Sequence, residues 1–111
     1  MTAFAQPTDQ TRVFDGGLEY ETVAASQTDQ ALGVAGAAGD YLKSLTLVVA
    51  TAATAAVSIK DGSGSAISVF PNSPGAGVGT YTIPLGLKSV SGAWSVTTGA
   101  GVSVIAAGKF T

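Results

Sequence analysis

Short runs in which apolar and polar residues alternate, each closed by glycine or proline, fill this chain and leave room for little except β-structure. In YLKSLTLVVA, Leu45, Leu47 and Val49 alternate with Ser44, Thr46 and Val48, the period-two signature of a strand with one buried side. VSIK repeats the alternation, DGSGS supplies glycines at 62 and 64 for positive φ, and AISVF resumes it. A hairpin is expected there, with Val57 and Ile59 facing Ile67 and Val69. The intervening ATAATAAV is rich enough in alanine to tempt a helical reading. Thr51 and Thr54 dilute the propensity, however, and a helix ending at Val57 would be too short to persist. A small-residue turn or bulge is predicted instead.

The same reasoning extends outward. LEYETVA from Leu18 reads as a strand with Leu18, Tyr20 and Thr22 on one face and Glu19, Glu21 and Val23 on the other. SQTDQALGVAGAAG carries glycines at 33, 36 and 39, too close together for a helix interior, and reads as loop with a short strand around Ala31 to Val34. PNSPGAGVG holds two prolines and three glycines and is expected to be an exposed loop or a crossing between sheets. TYTIPLG puts Tyr81, Ile83 and Leu85 on one face, and Pro84 confines it to a sheet edge or ends it. GAWSVTTGAGVSVIAAGKFT reads as a second hairpin, with Trp94 and Val96 paired across the GAG turn to Val102 and Val104. The expected fold class is all-β: a small β-sandwich or jelly-roll-like barrel of seven to eight short antiparallel strands. Residues 1–16 are expected to form an extended, flexible N-terminal arm and residues 17–111 the single β-sandwich domain.

Charge narrows the partners. Residues 1–40 carry Asp9, Asp15, Glu19, Glu21, Asp29 and Asp40 against Arg12; residues 41–111 carry Lys43, Lys60, Lys88 and Lys109 against Asp61. Four scattered lysines make a poor phosphate-binding surface, so no nucleic acid is expected as partner. The sign change admits two readings: an acidic arm lying on a weakly basic body, its own or a neighbour's, or a solvated arm. The apolar segment from Ser44 to Ile59 falls short of the about 20 residues of a spanning helix, so no membrane is expected either. MTAFAQPTDQTR lacks the basic start and apolar run of a signal peptide, and the mature chain is expected to begin near Met1. With no cysteine there is neither a disulfide framework nor a thiol nucleophile.

Catalytic chemistry is equally constrained. The chain has no histidine, hence neither the usual general base nor the commonest metal ligand. A serine nucleophile would need a lysine or carboxylate base, and a Ser–Lys dyad among Ser44, Ser58 and Ser65 has nothing to single it out. Glu19 and Glu21, two apart on a strand, lie about 7 Å apart on one side, between the two carboxylate separations of glycoside hydrolases; a solvated strand face is the simpler reading. GAGVG at 75–79 is followed by strand rather than by the helix a nucleotide loop needs. DGSGS lacks the further carboxylates of a calcium loop and reads as a hairpin turn. Trp94, Tyr81, Tyr41 and Tyr20 could stack sugars, but a lone Trp on an alternating strand belongs in a core. No enzyme activity, catalytic residue, cofactor or metal is expected.

Residues 39–111, from GDYLKSLTLVV through SIKDGSGSAISVF and TIPLGLKSVSGAWSVTTGAGVSVIAAGKFT, resemble small virion proteins of tailed bacteriophages, of the capsid decoration or cement type. The resemblance implies a small β-sandwich, commonly a trimer, made in the bacterial host cytoplasm and seated on the capsid surface of the virion against the major capsid protein. It brings no catalytic residues. A chain poor in charge and rich in Ala, Gly, Ser and Thr is compatible with flat β surfaces packed on identical neighbours, and the alanine-rich bend at 50–56 is an expected part of such a homo-oligomer interface. The alternative is a carbohydrate-binding or adhesive β-module, such as a phage fibre tip or surface domain.

Overall fold

A computed structural model describes residues 18–71 and 77–111. The strands are β1 (Glu19–Val23), β2 (Gln30–Ala31), β3 (Tyr41–Val49), β4 (Val57–Asp61), β5 (Ile67–Phe70), β6 (Gly79–Lys88), β7 (Trp94–Thr98) and β8 (Val102–Lys109). They form two four-stranded antiparallel sheets, ordered β1-β8-β3-β6 and β2-β7-β4-β5. Every connection except that between β4 and β5 passes from one sheet to the other, which makes the sandwich a jelly roll. The expected N-terminal arm lies outside the described residues.

The alternation does what period two requires. Leu45, Leu47 and Val49 of β3 are buried, as are Val57 and Ile59 of β4, Trp94 and Val96 of β7, and Val102 and Val104 of β8. These inward faces meet as one core, as in face-to-face sheet packing. Leu32, just past β2, and Phe110, just past β8, are also buried. The bend after β3 contains a single 3₁₀ turn, Ala52–Thr54, rather than a helix.

Two pairings differ from expectation. The predicted second hairpin does not exist: β7 pairs with β2 and β4, whereas β8 pairs with β1 and β3. Trp94 and Val96 therefore line the core from the sheet opposite Val102 and Val104. The GAG segment crosses the end of the sandwich, and its glycines serve close packing rather than a hairpin turn. A Cβ on Gly99 would strike the Thr54 carbonyl, and one on Gly101 the Thr51 carbonyl. Backbone bonds fill that space, with Ala50 and Thr51 N–H donating to Gly101 O at 2.7 and 3.1 Å. The second difference lies in the β4–β5 hairpin, where a bulge sets Val57 opposite Phe70 while Ile59 stays opposite Ile67. Val69 is the extra residue of that bulge and so does not face Val57. Only Gly62 of its two turn glycines takes a positive φ, 58°.

Pro84 sits on the edge strand β6, opposite Ser44 and beside the irregularity between Leu42 and Ser44, and the strand runs on to Lys88. The expected crossing between sheets does join β5 to β6, with residues 72–76 outside the description.

Candidate interaction surface

The outward positions of the β1-β8-β3-β6 sheet follow from its register. One cross-strand row is Thr22, Ile105, Thr46 and Thr82; the next is Tyr20, Ala107, Ser44 and Pro84; a third is Ser103, Val48 and Thr80. None of these side chains is charged. Tyr20 is 72% exposed, Val48 41% and Ile105 39%, so apolar and hydroxyl groups share a surface spanning all four strands. Charge returns only at the end of the sheet, where Lys88, Tyr41 and Lys109 form a fourth row with Lys43 beside it.

The acidic groups are placed otherwise. Glu21 turns from the solvent, its Oε1 accepting the Gly33 N–H at 2.7 Å. Asp29 Oδ2 lies 3.3 Å from Lys60 Nζ, and its Oδ1 accepts the Thr97 hydroxyl at 3.1 Å. Asp40 is buried; Oδ1 accepts the Thr111 hydroxyl at 3.0 Å and Oδ2 the Ala37 and Thr111 N–H groups, both at 3.2 Å. Asp61, which opens the DGSGS turn, accepts N–H bonds from Val90 at 2.8 Å, Ser91 at 2.9 Å and Gly92 at 3.3 Å. The Val90 bond first, then that to Ser91, with Gly92 adding less, holds its carboxyl below the ordinary aspartate range. Four of the six acids in residues 1–40 thus belong to the folded body, and the arm keeps only Asp9 and Asp15 against Arg12. The acidic-arm reading loses most of its charge.

The remaining sequence candidates do not converge. Trp94 is 3% exposed and its Nε1 donates to the Asp40 carbonyl at 3.0 Å, so it cannot carry a sugar platform. Tyr20 points outward from β1, while Tyr81 packs its ring 5.4 Å from that of Phe70. Ser44 and Ser58 lie on different sheets, Ser65 lies in the β4–β5 turn, and no described lysine bonds to any of them. Among the described residues no group of three or more acidic, His or Cys side chains could hold a metal ion. The second sheet carries a shallow depression of about 200 Å³, lined by residues including Ser58, Ser68 and Thr97.

No family model matches the chain, and no curated protein matches its sequence. Among solved structures it is similar to the vertex protein P5 of PRD1, with 20% identity, 81% of this chain and 87% of that chain covered, and a TM-score of 0.39. It is also similar to the C-terminal CBM6 of LamC, a marine laminarinase from Zobellia galactanivorans, with 11% identity, 84% and 89% covered, and a TM-score of 0.39. The extra small virus of the prawn Macrobrachium rosenbergii gives 11% identity, 85% and 78% covered, and a TM-score of 0.32. Likenesses at this level concern the fold alone.

The uncharged face had a legible signal, the Ser/Thr phase of β3 and β6. The Asp40 and Asp61 brackets had none, because each joins segments far apart in the chain.

Proposed function

We propose that this protein is a structural component of a virion, a decoration or cement protein that seats on the outside of a phage head against the major capsid protein. The supporting observation is the uncharged outer face of the β1-β8-β3-β6 sheet, since interface centres are depleted of charge and enriched in packable surface. Strands about 4.8 Å apart, with same-face rows about 7 Å apart, give the three uncharged rows about 400 Å². A standard interface takes about 800 Å² from each partner, so one copy alone binds weakly. Repetition by a homo-oligomer, in this reading a trimer, turns weak contacts into firm attachment. The protein has no catalytic role in this account.

The test is copy number in purified particles. A stoichiometry near that of the major shell protein is expected, and a handful of copies or none would reject the reading. The alternative, a carbohydrate-binding module, draws on the shallow depression of the second sheet, whose mostly apolar wall includes Ser58, Ser68 and Thr97, although Trp94 and the tyrosines supply no stacking platform there. Glycan-array binding lost in Ser58→Ala and Thr97→Ala would favour it.

A further inference from the structure

Resting on that reading, the structure assigns the chemistry of the partner: we infer that the Lys88–Tyr41–Lys109 row, with Lys43, docks a carboxylate-rich protein surface at the edge of the uncharged face. Tyr41 lies opposite Lys88 on β6 and opposite Lys109 on β8, so the two lysines flank one ring with their Cα atoms about 10 Å apart. Lys43 follows on β3, next to the irregularity that precedes Ser44. All three lysines are exposed, and no described acid pairs with them.

The charge balance of the described body argues for a partner other than a second copy. Its cations are Lys43, Lys60, Lys88 and Lys109, and Lys60 is already paired with Asp29. Its acids are engaged within the fold through Glu21, Asp29, Asp40 and Asp61, which leaves Glu19 alone with no hydrogen-bond or ion-pair partner. A copy of this chain therefore offers one carboxylate without an internal bond, the others being already tied to its own N–H and O–H groups or to Lys60, to three unpaired ammonium groups. The arm adds Asp9 and Asp15 but also Arg12. A complementary surface has to come from another protein, and carboxylates suit lysine heads spread along a strand row, whereas phosphate chains favour denser cation clusters with arginine. Basic groups at the rim of an uncharged patch set orientation and association rate more than affinity.

The experiment is a titration of the ¹⁵N-labelled full chain with a hexaglutamate peptide at low salt, followed by NMR, with hexaglutamine and inorganic polyphosphate as parallel probes. Expected are shifts confined to amides around Tyr41, Lys43, Lys88 and Lys109, none with hexaglutamine, and affinity about tenfold weaker in K43Q/K88Q/K109Q, since each exposed ion pair contributes up to a few-fold. The triple variant should melt as the parent does, all three side chains being free of internal bonds. Shifts centred elsewhere, no shifts at all, an unchanged triple variant, or polyphosphate bound more tightly than hexaglutamate would each overturn the inference. Copy number of the parent protein in virions is counted whatever these lysines contact, so high copy number with a failed titration removes only this inference. A successful titration with no copies in virions removes only the reading beneath it.

Discussion

Replacing Trp94 by alanine tests the core assignment most severely. The indole is 3% exposed on the inward phase of β7, facing a core shared with Val102 and Val104 from the opposite sheet. Deleting a buried aromatic of this size costs about 3 to 5 kcal/mol, and the lost Nε1–H bond to the Asp40 carbonyl is already part of that figure. The carbonyl is not orphaned, because it also accepts the Ser89 N–H at 2.8 Å, so the cost should lie within that range rather than above it. For a domain of about 100 residues each kcal/mol moves the thermal midpoint by about 4 °C or more, so a fall of about 15 °C is expected. Trp94→Phe, which keeps most of the apolar volume, should cost only about 1 to 2 kcal/mol. Far-UV circular dichroism melts read both variants without relying on tryptophan emission. An alanine variant melting within about 3 °C of the parent would refute the placement of Trp94 in the core.

Three further outcomes follow from the same geometry. Asp61 is held below the ordinary aspartate range by N–H bonds to its ionised form, so its stabilisation is present above the unfolded value of about 3.9 and is lost as pH falls through the lower folded value. Urea midpoints between about pH 5 and pH 2 should therefore fall less for Asp61→Asn than for the parent, and parallel curves would reject the bracket. Gly101→Val should destabilise by about 1 to 3 kcal/mol in urea titrations, because its Cβ has the Thr51 carbonyl and, at 2.6 Å, the Thr54 hydroxyl in its place; an unchanged midpoint would show that the crossing yields freely. Ile105→Arg, at an exposed position of the uncharged face, should leave the subunit folded by circular dichroism yet reduce an oligomer joined through that face to the 10.8 kDa subunit in light scattering, and an oligomer of unchanged mass would show that copies meet elsewhere.

Much of the fold is legible in the sequence wherever one side of a strand is buried. Leu45, Leu47 and Val49 announce β3, and Pro84 announces an edge, because burial and a missing donor act locally. Pairing is less legible. Trp94 and Val96 of β7 have the same inward phase whether their neighbour is β8 or β4, so alternation alone could not separate a hairpin from a crossing between sheets. The GAG glycines misled for a related reason: a glycine needed for a close approach to Thr51 and Thr54 looks the same as one needed for a turn. The lysine row was equally hidden, since Tyr41, Lys88 and Lys109 become neighbours only through pairings that alternation does not encode.

The central claim, that the outer face of the β1-β8-β3-β6 sheet is the contact surface, is tested most directly by hydroxyl-radical footprinting of the free protein and of the protein on assembled particles. Tyr20 and Ile105 mark that face, while Ile67, 48% exposed on the edge strand β5 of the opposite sheet, reports on surface away from it. The account predicts strong protection of Tyr20 and Ile105 on particles with Ile67 still reactive. Protection of Ile67 with Tyr20 and Ile105 left reactive would contradict it.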